Sequence, residues 1–146
     1  MDKMDSDFKY KRVMVVEDSE VDRYIAAKLL QKNRIGEDVI CMPTATDALC
    51  YLRSRENAGK MPEFILLDIR MPEMDGFEFL DIYATLSAEI KSKITIAMLS
   101  SSADPRDLKK AKANPHVCCF VSKPLTKDKL QQLGSCNAAA YFTLKG

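Results

Sequence analysis

The feature that most constrains the fold is a regular alternation of short apolar runs with helix-like segments. The apolar runs are RVMVV, DVICM, EFILLD, ITIAML and VCCFV. Each has the pattern of a strand that is buried on both faces. Because strands that alternate with helices pair in parallel through right-handed crossovers, we predict an α/β fold with one five-stranded parallel sheet and helices on both of its faces.

Capping residues mark several helix boundaries. Thr44, with Asp47 three residues later, predicts a helix that reaches Arg53. Asp104 before a proline predicts a helix over 105–113. Further helices are expected from about Val21 to Gln31, after Gly76, and from the cap residue Thr126 to Leu133.

Two of these helices carry apolar residues at helical spacing, which is typical of a face that packs on a core. The positions are Val21, Ile25, Leu29 and Leu30 in the first helix, and Phe77, Leu80, Tyr83 and Leu86 in the third. The polar segment SRENAGKMP between the second helix and the third strand predicts a loop.

Length and composition indicate one soluble globular unit. The chain has 146 residues, 29% of them charged, and a formal net charge of +1. This balance gives no basic excess for nucleic acid, so no direct nucleic-acid contact is expected. The polar N-terminus has no apolar signal core, and no run is long enough to cross a bilayer. We therefore expect a cytoplasmic protein without membrane insertion.

Cysteine and histidine usage argues against several catalytic and metal-binding classes. The five cysteines show no Cys-x-x-Cys spacing, and the single histidine, His116, cannot complete a usual zinc site. Reduced and mostly buried thiols are the expected state. A Ser/His/Asp or Cys/His site would depend on His116, which follows a proline in a predicted loop.

Polar residues stand where four of the predicted strands end. They are Glu17 and Asp18 after the first strand, Asp68 after the third, Ser100 after the fourth and Lys123 after the fifth. Each one alone is more often an ordinary turn or surface residue. In an open parallel sheet, however, the carboxyl ends of the strands form the edge where ligands bind. Together the five residues predict one site.

The chemistry of this set favours a hard cation and phosphorus. Three neighbouring carboxylates repel one another unless a cation holds them together. Oxygen ligands without histidine suit Mg²⁺, for which Mn²⁺ can substitute. Beside such an ion an aspartate can attack phosphorus, while Ser100 and Lys123 contact the phosphoryl oxygens. The residues thus predict an aspartyl phosphate.

With these motifs in view, the chain resembles the receiver domains of two-component response regulators, of the single-domain, chemotaxis-like type. The resemblance spans about Lys11 to Leu133, through VVEDSE, LLDIRMPEMDG, MLSSSADP and FVSKPLT. It implies a flavodoxin-like sheet of order 2-1-3-4-5. Residues 1–10 would be an N-terminal extension, 11–133 the receiver domain, and 134–146 a helical extension or a tail.

The resemblance also assigns roles to residues. Asp68 matches the phosphoacceptor. Asp18 and Asp68 match direct Mg²⁺ ligands, Glu17 a direct or water-mediated one, and the Arg70 backbone carbonyl a further ligand. Glu17 stands where the family more often has aspartate, which lengthens that ligand arm.

Two more positions match residues that contact the phosphoryl group. Ser100 matches the hydroxyl residue, with Ser101 as the alternative if the strand register shifts by one, and Lys123 matches the site lysine. Ser100 and Phe120 match the pair that switches on phosphorylation and reshapes the face formed by the fourth predicted helix, fifth strand and fifth helix. An ordinary core aromatic is an equally good interpretation of Phe120.

The expected function is a signalling receiver rather than an enzyme that turns over substrates. A histidine kinase or phosphotransfer protein would phosphorylate Asp68, and the altered surface would bind a downstream protein. One alternative is a receiver-like interaction module that works without phosphorylation. Another is a phosphatase of the haloacid dehalogenase type, but those enzymes have an acid two residues after the nucleophile, where this chain has Arg70.

The C-terminal segment GSCNAAAYFTLKG is the least informative part of the sequence. Residues Ala138 to Leu144 fit an extension of the last helix, since Ala140 or Tyr141 would continue its apolar stripe. A frayed end or the start of a linker fits equally well.

Overall fold

A computed structural model describes residues 7–101 and 104–133, together with the backbone of 142–144. Within these residues the chain forms a six-stranded sheet in the order β2-β1-β3-β4-β5-β6, in which all neighbouring strands are parallel. The strands are β1 (Tyr10–Val16), β2 (Gly36–Met42), β3 (Phe64–Asp68), β4 (Thr95–Ser100), β5 (Val117–Ser122) and β6 (Phe142–Leu144). The first five confirm the predicted order 2-1-3-4-5.

Helices connect the strands and cover both faces of the sheet. In the described part of the chain they are α1 (Glu20–Lys32), α2 (Ala45–Arg53), α3 (Gly76–Tyr83), α4 (Ala88–Lys91), α5 (Pro105–Ala113) and α6 (Lys127–Leu133). The predicted caps are in place, because Thr44, Asp104 and Thr126 each accept a hydrogen bond from a backbone N–H of the first helical turn.

Two short elements were not predicted. One is α4, and the other is a 3-10 helix at Arg55–Lys60 inside the segment expected to be a loop. The Tyr51 hydroxyl donates to the Lys60 carbonyl at 2.7 Å, and the Asn57 side chain donates to the Tyr51 carbonyl at 3.1 Å. These contacts with the last turns of α2 order a segment whose polar sequence has no apolar stripe of helical spacing.

The sheet separates two hydrophobic cores, because successive strand residues point to opposite faces. One core contains Met14, Ile65, Leu67, Met98 and Phe120 from the strands, packed with residues of α2, α3 and α5. The other contains Val13, Val15, Leu66, Leu99 and Val121, packed with residues of α1 and α6. Every strand near the centre is therefore buried on both sides, as its continuous apolar run predicted.

The apolar stripe predicted for α1 is buried only at its C-terminal end. Leu30 is fully buried and Leu29 packs against the core, whereas Val21 and Ile25 are exposed. Ala26, which was not predicted, is the other fully buried residue of this helix. By contrast, the predicted positions of α3 and the following turn, including Phe77 and Leu86, are buried.

The helical alternative for the C-terminal segment is wrong at residues 142–144, the part of it that the structure describes. Phe142–Leu144 do not extend a helix but form β6, which pairs in parallel with Cys119, Phe120 and Val121 of β5. Residues 134–141, which include the rest of the predicted helical extension, lie outside the described residues. Without an apolar run of typical length, a three-residue edge strand leaves little pattern in the sequence.

Cysteine burial follows the prediction only in part. Cys118 and Cys119 are buried in β5, whereas Cys41 and Cys50 are exposed. Cys136 lies outside the described residues. No helix in the described part of the chain is both long and apolar enough to cross a membrane.

Gly76 is required by a close approach of two backbone segments. Its N–H donates to the Ile69 carbonyl at 2.8 Å, which closes the loop that follows β3. A Cβ at this position would lie 2.7 Å from the backbone oxygen of Asp68 and 3.1 Å from Cα of Ile69. Because those atoms belong to the backbone, a side chain at position 76 must displace the end of β3.

We expect Gly76→Ala to lower the free energy of unfolding by about 1–3 kcal/mol through this overpacking. Gly59→Ala is the matched control, since a Cβ at Gly59 meets nothing within 4 Å. Urea unfolding of both variants measures the difference. Equal stabilities would show that the β3 end tolerates the added methyl group.

Candidate functional site

The strand ends bring the predicted site residues together. Asp68 is the last residue of β3 and pairs in register with Leu99, next to Ser100 at the end of β4. The Lys123 backbone N–H donates to the Ser100 carbonyl at 2.7 Å. Glu17 follows β1, the strand on the other side of β3. One edge of the sheet therefore carries all four positions.

Three carboxylates form a cluster at this edge. Oxygen atoms of Glu17, Asp18 and Asp68 all lie within 4.8 Å of one another. Glu17 is 2% exposed and Asp68 is 3% exposed, whereas Asp18 is exposed to solvent. The carboxylates of Glu17 and Asp68 are thus removed from water, whereas that of Asp18 lies on the solvent side of the cluster.

Lys123 supplies positive charge to the cluster. Its Nζ atom lies 2.7 Å from Oε1 of Glu17 and 3.5 Å from Oδ1 of Asp68. Burial acts to lower the pKa of Lys123, but its hydrogen bond to Glu17 and the nearby charge of Asp68 outweigh burial, and the pKa is raised. The lysine therefore remains an ammonium ion in the site.

The positive charge of Lys123 does not fully compensate the negative charge of the three carboxylates. Burial, and then the neighbouring charge of Glu17, raise the pKa of Asp68 from 3.8 to about 7, and Lys123 only partly opposes this shift. Three carboxylate oxygens within 4.8 Å, without histidine, form a ligand set for a hard divalent cation such as Mg²⁺. A cation there would oppose both causes of the raised pKa, because it stabilises the buried charged carboxylate and compensates the charge of Glu17.

Backbone contacts fix the loop that carries Glu17 and Asp18. The Arg23 guanidinium donates to both of their backbone carbonyls, at 2.9 and 3.2 Å. The Ser19 N–H donates to Oε2 of Glu17 at 3.2 Å, while the Ser19 hydroxyl caps α1. Glu17 therefore accepts from Lys123 with one oxygen and from the backbone with the other.

Sequence analysis missed Asp22 and Arg23. Asp22 Oδ2 lies 3.4 Å from Nζ of Lys123, so a third carboxylate contacts the lysine. Both residues are near the start of α1, four and five residues after Asp18. Acidic residues in a first helical turn commonly stabilise the helix, so Asp22 gives no signal in the sequence that it faces the site, and neither does a single arginine.

The two serines after β4 differ in burial. Ser100 is 1% exposed and ends the strand, whereas Ser101 is exposed. The structure therefore places Ser100, and not Ser101, inside the carboxyl end of the sheet. That Ser100 contacts a phosphoryl group stays a prediction. Phe120 is 1% exposed and lies in the core beside α3 and α5.

The Arg70 side chain is paired with α5. Its guanidinium donates to Oδ2 of Asp107 at 2.6 Å, and Asp107 is buried whereas Arg70 is largely exposed. Arg70, two residues after Asp68, thus connects the loop after β3 to the first turn of α5. That its carbonyl is a metal ligand stays a prediction.

His116 lies at the opposite end of β5 from Lys123. Its ring packs edge-on against Tyr83, with the centroids 5.3 Å apart. Burial, and then the charge of Lys91, lower its pKa. His116 contacts none of the site residues named above.

A cavity of about 340 Å³ lies beside the carboxylates. Its apolar walls come from the sheet, α1 and the segment after Lys123, and its polar rim contains Glu17, Asp22 and Lys123. The apolar lining residues are Val15, Ile25, Ala26, Leu99, Pro124 and Leu125. The charged site therefore opens next to an apolar surface of α1.

Comparisons with known proteins agree on one family. Residues 13–134 match the profile of the response regulator receiver domain. A two-component response regulator of Oryza sativa subsp. japonica is 30% identical over 131 residues, which are 88% of this chain. The chain spans 55% of the length of that relative.

Solved structures of response regulators are also similar. One from Cytophaga hutchinsonii has 30% identity and a TM-score of 0.79, and the match covers 86% of this chain and 95% of that one. The phosphorylated cyanobacterial phytochrome response regulator RcpA has 26% identity and a TM-score of 0.68, with 86% and 89% covered. The described fold is that of these proteins.

The raised pKa of Asp68 predicts a pH-dependent stability in metal-free buffer. Between pH 3.8 and about 7 the folded protein holds a proton that the unfolded chain releases. The free energy of unfolding must then fall as pH rises through this range, by on the order of a few kcal/mol. Asp68→Asn has no such proton, so its stability relative to the wild type should increase with pH.

Urea unfolding at pH 4.5, 6 and 7.5 in the presence of EDTA measures this difference. Asp81→Asn removes an exposed carboxylate of α3 and is expected to keep the wild-type slope. A stability difference between Asp68→Asn and the wild type that is the same at all three pH values would contradict the raised pKa.

Proposed function

We propose that this chain, which belongs to the response regulator receiver-domain family, is a phosphorylation-controlled signalling module with Asp68 as its phosphoacceptor. The observation that carries the proposal is the buried Asp68 carboxylate at the end of β3, with Glu17, Asp18 and Lys123 around it. Family members signal through phosphorylation of a receiver domain. The site residues of this chain supply the groups that such a reaction needs.

The reaction is transfer of a phosphoryl group to a carboxylate. An oxygen of Asp68 attacks phosphorus and forms a P–O bond, while the bond from phosphorus to the donor breaks. The donor, a phosphohistidine side chain or a small acyl phosphate, leaves with the electron pair of that bond. The carboxylate must be deprotonated to attack, so its pKa near 7 is too high for full reactivity at neutral pH.

The ligands for a cation are Glu17, Asp18 and Asp68, with the Arg70 carbonyl as a further ligand. Bound Mg²⁺ would supply charge neutralisation at the phosphoryl oxygens and would favour the deprotonated Asp68. Lys123 already lies within 3.5 Å of Asp68, and its ammonium group can pair with another phosphoryl oxygen. The Ser100 hydroxyl can donate to a third.

The output surface would be the face of α5, β5 and α6. A phosphoryl group at Asp68 would draw the Ser100 hydroxyl inward, and the neighbouring Phe120 would repack against α5. Because phenylalanine has no hydroxyl group, this change depends on packing alone. The downstream partner is a protein that binds the altered face.

The donor would approach across α1. Three large apolar side chains of this helix are exposed, namely Val21 at 65%, Tyr24 at 63% and Ile25 at 46%. Ile25 also lines the cavity beside Glu17 and Lys123. A histidine kinase or phosphotransfer protein whose phosphohistidine reaches Asp68 must cover this edge, and the apolar side chains would pack on its helices.

The direct test is incubation with Mg²⁺ and acetyl phosphate, followed by intact-mass measurement. The wild type is expected to gain one phosphoryl group that is stable to acid and labile to base, and EDTA is expected to prevent the gain. Asp68→Asn is expected to gain none, and the control Asp81→Asn is expected to behave as the wild type.

Two results would contradict the proposal. Phosphorylation that persists in Asp68→Asn would place the acceptor elsewhere. No gain in the wild type with acetyl phosphate or with any autophosphorylated histidine kinase would favour an interaction module that works without phosphorylation.

The α1 surface predicts a difference between protein and small-molecule donors. With the fastest donor from a panel of purified, autophosphorylated histidine kinases, Tyr24→Ala and Ile25→Ala should slow transfer by roughly tenfold each. Acetyl phosphate needs no docking surface, so its rate should not change. Lys32→Ala, an exposed change at the far end of α1, is the control. Equal slowing with both donors would assign these residues to the chemistry instead of docking.

A further inference from the structure

A buried lysine of α6 contacts the backbone on both sides of Lys123. The Nζ atom of Lys129 lies 2.7 Å from the carbonyl oxygen of Ser122 and 2.9 Å from that of Pro124. It also lies 3.2 Å from the Ser122 hydroxyl oxygen. All three acceptors therefore belong to the residues immediately before and after Lys123.

These contacts are made by a lysine that is almost completely buried. Lys129 is 2% exposed, whereas its neighbour Lys127 is exposed on the same helix. A buried ammonium group without hydrogen bonds is strongly destabilising, and the three donors of Lys129 match three oxygen acceptors. An apolar residue at this position would leave the Ser122 and Pro124 carbonyls without these hydrogen bonds.

The held segment carries the site lysine. The Lys123 N–H donates to Ser100, and the two flanking carbonyls accept from Lys129, so the backbone around Lys123 is anchored on both the β4 side and the α6 side. From this backbone the Lys123 side chain reaches Glu17 at 2.7 Å and Asp68 at 3.5 Å. Its ammonium position depends on where the Ser122–Pro124 backbone lies.

We infer that Lys129 is a positioning residue for phosphotransfer, which acts by holding the Ser122–Pro124 backbone so that the Lys123 ammonium group meets the phosphoryl group at Asp68. The inference rests on the proposed function. Lys129 itself does not touch the reacting atoms. A displacement of Lys123 by about 1 Å is enough to slow a reaction of this kind by up to roughly 100-fold.

The test is a double-mutant cycle between Lys129→Met and Lys123→Ala, with acetyl phosphate and Mg²⁺ as the probe. Lys129→Met keeps an unbranched side chain of nearly the same length and removes the ammonium group. It is expected to slow phosphorylation 10- to 100-fold on its own and to add nothing in the Lys123→Ala background. Lys127→Met, the same change at the exposed lysine, is expected to keep the wild-type rate.

A spectroscopic measurement separates positioning from general loss of structure. In protein labelled with ¹⁵N at lysine side chains, the signal that disappears in Lys123→Ala belongs to the Lys123 ammonium group. This signal is expected to persist in Lys127→Met and to broaden or shift in Lys129→Met. If Lys129→Met does not fold, Lys129→Gln, which keeps two N–H donors, is tested by the same cycle.

The outcomes are distinct. An unchanged rate in Lys129→Met, or rate losses that multiply in the double variant, would overturn the positioning role while the wild type still becomes phosphorylated. An unchanged Lys123 signal in Lys129→Met would also overturn it. A wild type that is not phosphorylated by any donor would overturn the proposed function and this role together.

Discussion

The contact between Lys123 and the carboxylates at the sheet edge is the interaction on which the site depends. Glu17 and Asp68 are almost completely buried, and burial of two like charges is unfavourable without a partner. Lys123 bonds to Glu17 and contacts Asp68, which links the ends of β1, β3 and β5. The pKa of Asp68 is nevertheless raised to about 7, so the cluster remains short of positive charge and suits a further cation.

Two side chains donate hydrogen bonds to backbone carbonyls and so hold the segments that carry the charged site residues. Arg23 fixes the carbonyls of the β1 end, and Lys129 fixes those on either side of Lys123. Both are cations that bind neutral carbonyl oxygens and leave the carboxylate oxygens available. The acidic segment after β1 and the segment that carries Lys123 are thereby ordered without neutralising the carboxylates themselves.

Much of this architecture follows from local sequence patterns. Continuous apolar runs such as EFILLD identify strands buried on both faces, and caps such as Asp104 before Pro105 identify helix starts. Strand-end polarity likewise predicts the cluster of Glu17, Asp18 and Asp68. The exposure of Val21 and Ile25 in α1, the edge strand β6 and the burial of Lys129 depend on tertiary packing. A lysine in an amphipathic helix looks like a surface residue until its three acceptors are seen.

Two residues connect the region of the site to α5. Phe120 lies in the same hydrophobic core as Ala111 of α5, and Arg70 bonds to Asp107, one turn earlier in that helix. The first contact is apolar, and the second is a charge pair whose aspartate also lies at the positive N-terminal end of α5. If Asp68 is phosphorylated as proposed, the added negative charge would lie near Arg70, which is the polar connection between the loop after β3 and α5.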